Sequence, residues 1–171
     1  MNKYFPIAMA AALIVFSLAV DALAADPFEG TWVLKLAESQ FNSSPAPQSR
    51  IVKIEAQKNS QSLVVDEVDA EGKILHGGFF AKYNEMDYPY TLRPAEDTIA
   101  LKRSNMNTIV STSKKNGETV SVIRWVVSKD GKTLIGTEKG KNAEGKPVMS
   151  IYVYGRPDNP ELSKSVDNGR R

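Results

Sequence analysis

"SVIRWVVSKDGKTL", residues 121–134, joins a run of valine, isoleucine and tryptophan to a second apolar run through the turn Lys-Asp-Gly-Lys. Valine, isoleucine and aromatic residues are enriched in β-strands. An Asp-Gly pair suits a two-residue hairpin, because both central residues of the favoured turn need positive φ. This stretch therefore predicts two antiparallel strands connected by a tight turn.

The same strand–turn–strand pattern continues on both sides of this stretch. Further turn signals lie at "EGK" (71–73), "KNGE" (115–118) and "AEGK" (143–146), and "MSIYVYG" (149–155) is another clear strand. No window of useful length shows the periodicity of an amphipathic helix. The pattern predicts about ten strands, at 30–37, 50–57, 61–69, 73–83, 87–93, 97–103, 107–114, 118–128, 132–139 and 146–155.

Successive hairpins without helices predict an all-β fold that consists of a single antiparallel meander. A long meander avoids exposed strand edges by closing into a β-barrel. A two-sheet sandwich is the competing architecture, but sequential hairpins favour the barrel. The one long connection, "AESQFNSSPAPQS" (37–49), is rich in serine and proline and is predicted to be a loop.

Residues 1–24 have the three parts of a secretory signal peptide. Lys3 provides a positive charge, residues 5–20 are almost entirely apolar, and Ala22 and Ala24 form the small-x-small pattern of a signal peptidase site. A retained membrane anchor is the alternative, but this run is shorter than the roughly 20 residues of a spanning helix. We predict cleavage after Ala24, with Ala25 as an alternative site, and an exported chain that does not insert into a membrane afterwards.

The rest of the chain predicts one barrel domain, residues 25–157, followed by a short tail, residues 158–171. The domain has the size that is common for a single hydrophobic core, about 100–150 residues. The tail is polar and has no apolar pattern. We therefore predict that the tail is disordered.

The composition of the chain excludes several classes of function. The chain has no cysteine and a net charge of +2. Disulfides, thiol catalysis, zinc sites of the cysteine type and lipid attachment to a cysteine are therefore excluded. So small a net charge gives no reason to expect a nucleic acid as partner.

Two features suggest a metal or catalytic site, but neither has the pattern that such a site needs. Asp66, Glu67, Asp69 and Glu71 lie close together without the fixed ligand spacing of a calcium loop, so a solvated turn is the better interpretation. The single histidine, His76, has no paired nucleophile, and the two glycines after it suggest a bulge or a sharp bend. We expect no metal, no cofactor and no enzymatic activity.

The two ends of the predicted barrel show a family resemblance. "FEGTWVL" (28–34) and "YVYGRP" (152–157) resemble the first and last strands of calycin barrels, the group of the lipocalins and fatty-acid-binding proteins. In that group a Gly-x-Trp on the first strand packs at the closed barrel end, and an arginine on the last strand covers the indole. The resemblance implies these roles for Gly30, Trp32 and Arg156, with cation–π attraction holding the plug together.

The whole chain after residue 24, with "DYPYT" (87–91), "VSKDGKTL" (127–134) and "GKPV" (145–148), is similar to a group of secreted bacterial lipocalin-like proteins of unassigned function. This likeness implies a periplasmic or extracellular location in a bacterium and a small ligand inside the barrel. Fatty-acid-binding proteins differ in having a two-helix lid where this chain has its Pro/Ser loop. Their carboxylate-binding Arg-x-Tyr pair is matched here by Tyr152 and Tyr154, so only the tyrosine agrees.

Alternation along the late strands selects candidate ligand-binding residues. Val122 and Arg124 share one face of their strand, and Tyr152 and Tyr154 share one face of the last strand. If the valine-rich face points inward, Arg124 is an interior cation that can bind a ligand carboxylate with help from the tyrosine hydroxyls. The opposite arrangement, with Trp125 inside and Arg124 in solvent, fits the pattern equally well, because both faces are apolar.

These observations favour an exported, non-enzymatic barrel that binds a small apolar or amphipathic molecule in its interior. The alternative is an envelope structural or protein-interaction module whose barrel is filled by its own side chains. Interior volume separates the two hypotheses, because a ligand pocket of this kind usually needs about 300 Å³ or more.

The signal peptide generates the first testable prediction. N-terminal sequencing of the exported protein should find Ala25 as its first residue, because Ala22 and Ala24 fit the peptidase site. Exported protein that still begins with Met1 would contradict the prediction.

Overall fold

The computed structural model describes residues 25–141 and 146–158 of the chain. Within these residues, no helix has the length and apolar character that crossing a membrane requires. The predicted signal peptide (1–24), nearly all of the predicted tail (159–171) and most of the "AEGK" turn (143–145) lie outside the described residues. The strands β1 to β10 are Gly30–Leu34, Ser49–Gln57, Ser60–Val68, Ile74–Lys82, Tyr88–Pro89, Thr98–Asn105, Thr108–Lys115, Glu118–Val127, Thr133–Lys141 and Pro147–Gly155.

The described strands form one antiparallel sheet in the order β4-β3-β2-β1-β10-β9-β8-β7-β6-β5. Strands that follow each other in the chain therefore lie beside each other, except that β4 and β5 form the two ends of the sheet. The first and last strands pair, with Val33 opposite Gly155. The predicted all-β antiparallel meander is confirmed, and the sheet curls into a nearly closed barrel.

The seam between the two sheet ends depends on a pair of glycines in β4. Thr91, just after β5, donates its backbone N–H to the carbonyl of Gly78 (3.1 Å), and its hydroxyl accepts from the Gly78 N–H (3.2 Å). A Cβ at Gly77 would lie 2.7 Å from Cα of Leu92, so a larger residue would hold the ends apart. The register between β3 and β4 is continuous. Of the two predicted forms, a bulge or a sharp bend, the bulge is therefore wrong, and the glycines permit a close backbone approach.

Strand β5 is much shorter than the predicted 87–93. It ends at Pro89, and the next residue, Tyr90, donates its N–H to the carbonyl of Asp97 at 2.9 Å. This bond folds the intervening residues into a loop that leads to β6. Proline cannot donate to a sheet ladder, which is why it is confined to edges such as this one.

The connection between β1 and β2, residues 35–48 (hereafter the strap), stays against the barrel wall. A 3₁₀ turn, Leu36–Glu38, follows β1. Gln40 then forms an antiparallel bridge with Ile151 of β10, through N–H to O distances of 2.7 and 2.9 Å. The strap is irregular, as the sequence predicts, but it continues the pairing of β10 beyond the point where β1 stops.

One end of the barrel is plugged by a tryptophan beneath an arginine. Trp32 is 0% exposed, and its Nε1 donates to the carbonyl of Phe28 at 2.9 Å. The guanidinium of Arg156 lies 3.6 Å from the indole centroid and donates to the carbonyl of Glu29 at 2.6 Å. Gly30 has a φ of 103°, and a Cβ there would lie 2.9 Å from Arg156 Nη1. Glycine thus permits the backbone conformation and leaves room for the arginine.

The plug generates a stability prediction. Trp32→Ala should lower the free energy of unfolding by about 3–5 kcal/mol, because it removes a fully buried indole and leaves a cavity. Met106→Ala, at a 60% exposed position, is the matched control and should change stability little. Denaturant titration measures both variants, and a Trp32→Ala midpoint and slope equal to those of the parent would show that the indole does not plug the barrel.

Candidate ligand-binding cavity

The barrel contains an internal cavity of about 360 Å³. The cavity extends from Phe28, near the plugged end, to Ser43, Ala95 and Gly140 at the opposite end, hereafter the open end. Its deeper wall is mainly apolar and includes Ile54, Leu63, Phe79, Leu101, Ile109 and Trp125. The interior is therefore not filled by side chains, and its volume lies above the lower limit of about 300 Å³ for a ligand pocket.

The structure places two of the predicted ligand-binding residues, Val122 and Arg124, outside the cavity wall. Arg124 is exposed, whereas its neighbours Ile123 and Trp125 line the cavity. The cause lies on the adjacent strand β9, where a Cβ at Gly136 would come within 2.4 Å of the Trp125 ring. Glycine at this position leaves room for the indole inside the barrel. The prediction that Arg124 and Val122 face the interior is therefore wrong, and the arrangement with Trp125 inside is the observed one.

The other two predicted residues, Tyr152 and Tyr154, are buried in the cavity wall. Both rings lie beside Trp125, with centroid distances of 6.4 Å for Tyr152 and 6.1 Å for Tyr154. On its other side, Tyr152 lies 5.7 Å from the ring of Phe41 in the strap. An aromatic cluster thus forms one side of the cavity, and the contact of its tyrosines with a ligand stays a prediction.

A buried carboxylate at the open end, Glu138 of β9, accepts hydrogen bonds from hydroxyl groups. Ser121 donates to its Oε1 at 2.7 Å, and Ser43 of the strap donates to its Oε2 at 2.6 Å. The Tyr152 hydroxyl donates to the same oxygen. Burial, together with this bond to Glu138, raises the pKa of Tyr152 to about 12. Tyr152 is therefore a neutral hydrogen-bond donor at physiological pH.

A second buried carboxylate, Glu67 of β3, binds two arginines. Arg50 donates from Nε at 2.6 Å, and Arg93 donates from Nη2 to both carboxylate oxygens at 2.9 Å. Arg50 Nη1 also donates to the Tyr154 hydroxyl at 3.3 Å. Both arginines line the cavity. Since two guanidiniums share one carboxylate, this cluster (hereafter the arginine cluster) carries an excess positive charge.

A third carboxyl group, Glu96, lies at the open end in the turn that precedes β6. Its N–H donates to the carbonyl of Arg93 at 3.1 Å. Burial raises the pKa of Glu96, although a hydrogen bond with Ser113 and the charge of Arg93 act in the opposite direction. Burial therefore shifts the protonation equilibrium of this carboxyl group toward the neutral form, relative to a solvated glutamate.

The arginine cluster was missed by the sequence interpretation, and the placement of Glu67 in a solvated turn is wrong. Glu67 is 4% exposed. Its position two residues after Val65 on the inner face of β3 was one available signal. Another was its place directly opposite Arg50 on β2, because opposite charges pair across neighbouring strands. Ser43 had no such signal, since it lies in an aperiodic segment.

His76 lies outside the cavity. Its Nδ1 is 2.6 Å from Oδ1 of Asp66, and its side chain is 68% exposed. Within the part of the chain that the structure describes, no group of three or more His, Asp or Glu side chains is placed to hold a metal ion.

Comparisons with known proteins give likenesses of overall structure. No protein-family model and no curated protein sequence matches the chain. Solved structures that are similar to it include apocrustacyanin C2 and lobster apocrustacyanin A1, each with 10% sequence identity and a TM-score of 0.46. The alignments cover 86% and 85% of this chain and 72% and 70% of those proteins.

The arginine cluster generates a second stability prediction. Glu67→Gln should lower the free energy of unfolding by about 3–5 kcal/mol, because it leaves Arg50 and Arg93 without their buried counter-charge. Glu71→Gln makes the same chemical change at an exposed position in the turn after β3 and should be nearly neutral. Equal denaturant midpoints for the two variants would show that the buried carboxylate contributes no more to stability than an exposed one.

Proposed function

We propose that this protein is an exported, non-enzymatic barrel that binds a small apolar or amphipathic molecule in its interior. The observation that carries the proposal is the internal cavity of about 360 Å³ with its mainly apolar wall. Small-molecule sites are typically lined by apolar side chains, with a few polar groups that orient the ligand. This cavity has both components.

The two components occupy different depths of the cavity. The charged side chains Arg50, Arg93, Glu96 and Glu138 lie toward the open end, and mainly apolar side chains, with the neutral Gln61 among them, extend from there toward Phe28. An apolar chain gains about 0.8 kcal/mol for each CH₂ group that it buries. The wall therefore suits a molecule whose apolar part lies deep and whose polar part, if it has one, remains near the opening.

The arrangement of the polar groups supports a binding role without catalysis. Glu138 accepts hydrogen bonds from three hydroxyl groups, and Glu67 is held by two guanidiniums. A general base needs a free lone pair within reach of the proton that it removes. Each of these carboxylates uses three of its roughly four lone pairs in bonds that hold side chains of the barrel wall.

Export of the protein, to the periplasm or the outside of a bacterial cell, is proposed from the signal-peptide pattern and the family resemblance. The partner that we propose is the small molecule alone, with neither a nucleic acid nor a membrane. The alternative function, a protein-interaction module with a filled barrel, is less well supported because the cavity is open.

A cavity-filling variant tests the proposed function. Val65 lines the cavity, whereas Val64, the preceding residue on β3, does not. The parent protein should bind dodecanol with a change in tryptophan fluorescence, because Trp125 is part of the wall. Val65→Phe should weaken this binding about tenfold or more, a loss of about 1.4 kcal/mol, because the added ring takes up ligand space.

Val64→Phe is the matched control, with the same change on the opposite face of the strand, and should bind dodecanol like the parent. No binding of dodecanol by the parent protein would contradict the proposed function. Undiminished binding by Val65→Phe would show that the molecule binds elsewhere.

A further inference from the structure

We infer that the ligand is an acidic amphiphile, whose anionic head is bound by Arg93 and Arg50 at the open end and whose tail points toward the plug. This inference rests on the proposed function, since it specifies the ligand class of the same cavity. The head group is a carboxylate, a sulfate or a phosphate, all of which present the oxygens that guanidinium groups bind through parallel hydrogen bonds.

The arginine cluster has two positive charges and one negative charge. Arg50 and Arg93 together carry two positive charges, and Glu67, with 3% of its side chain exposed, provides one negative charge. A buried charge is costly unless it is paired. An anion at this point would complete the pairing, whereas a cationic head would meet two guanidinium groups.

Arg93 has N–H donors that no acceptor in the described part of the chain uses. In the described part of the chain this guanidinium donates only through Nη2, to Glu67. Its Nε and Nη1 groups remain for another acceptor, and its side chain is 30% exposed at the cavity opening. Arg50 is 12% exposed and already bonds Glu67 and Tyr154. Arg93 is therefore the main contact for the head group, and Arg50 adds charge behind it.

Two other carboxyl groups, Glu138 and Glu96, lie at the opening. Glu138 is held by hydroxyl donors on β8, β10 and the strap. Glu96 lies in the same turn as Arg93 and adds a carboxyl group on that side, where burial raises its pKa while Ser113 and the charge of Arg93 lower it. Both cations that line the cavity in the described residues, Arg50 and Arg93, are on this side, whereas the partners of Glu138 are hydroxyl groups, so an anion is attracted more strongly to the Arg93 side.

The positions of the charged and the apolar side chains along the cavity set the direction of the ligand. The arginine cluster lies at the open end, and the wall toward Phe28 is mainly apolar, with neutral polar side chains such as Gln61. A tail that points toward the plug is buried, while the head keeps contact with Arg93 and with solvent. The reverse orientation would place an anion among Leu101, Ile109 and Leu134, where no cation lines the cavity in the described residues.

The experiment compares an acid with an alcohol of the same chain length. Dodecanoate and dodecanol are titrated against the parent, Arg93→Met, Arg93→Lys and Arg124→Met, at a pH where the acid is ionised. Arg93→Met should weaken dodecanoate about 10-fold to 100-fold, the loss expected for a charged hydrogen bond, and leave dodecanol nearly unchanged. We expect Arg93→Met to fold, because Glu67 keeps Arg50 as its partner. Unchanged dodecanol binding would show that it does.

Arg124→Met makes the same substitution on the outer surface and should bind both molecules like the parent. Arg93→Lys keeps the charge but loses the planar donor geometry, so its preference for the acid should lie between those of the parent and Arg93→Met. Dodecyl sulfate should follow dodecanoate, because the head group is recognised as an anion.

The outcomes separate this inference from the proposed function. A parent protein that binds dodecanol as tightly as dodecanoate overturns the inference and leaves the proposed function standing. The same holds if neither Arg93 variant changes the acid-to-alcohol ratio. A parent protein that binds neither molecule overturns the proposed function itself.

Discussion

The pairing of the first strand with the last is the constraint on which the rest of the structure depends. A meander leaves two unpaired edges unless its ends meet, and here β1 lies against β10, with Leu34 opposite Tyr154. The same pairing brings Arg156, just after β10, over the indole of Trp32. The strap that follows β1 lies along the N-terminal half of β10, which places Ser43 beside Glu138. Closure of the barrel thus creates both the plug at one end and part of the cavity wall at the other.

The buried carboxylates Glu67 and Glu138 are both held by hydrogen bonds inside the barrel. A buried ion pair is favourable only when hydrogen bonds satisfy the groups that lose water. Glu67 meets this condition through two cations, and Glu138 meets it through neutral hydroxyl groups. At the opening, the two arginines therefore lie on the same side as Glu67 and Glu96, and Glu138 lies on the other side among hydroxyl groups. Under the proposed function, the two arginines on one side of the opening would orient the head group of an anionic ligand.

Local patterns predicted the fold well, and the details that depend on distant residues could not be predicted. The strand expected at 118–128 is Glu118–Val127, because alternation and turn residues lie within the segment itself. The face that β8 turns inward was undetermined, since both faces are apolar, and it is decided by Gly136 on another strand. The roles of Arg50 and Glu67 required the register between β2 and β3. The position of Ser43 required the path of the strap, for which the sequence has no periodic signal.

The bonds of the strap determine where the cavity is accessible. Ser150 of β10 is 0% exposed, and its hydroxyl accepts from the backbone N–H groups of Asn42 and Ser43 at 2.9 and 3.0 Å. Removing the strap would deprive both Ser150 and Glu138 of hydrogen-bond partners, and each buried polar group left unpaired costs about 1–3 kcal/mol. The strap is therefore a fixed part of the wall. The loop between β5 and β6, which carries Arg93 and Glu96, is bonded to the opposite part of the sheet: Thr91 donates to Gly78 of β4, and Asp97 donates its N–H to the carbonyl of Lys114 on β7 at 2.7 Å. The opening therefore lies between two bonded segments, with Glu138 on the side of the strap and Arg93 on the side of the loop.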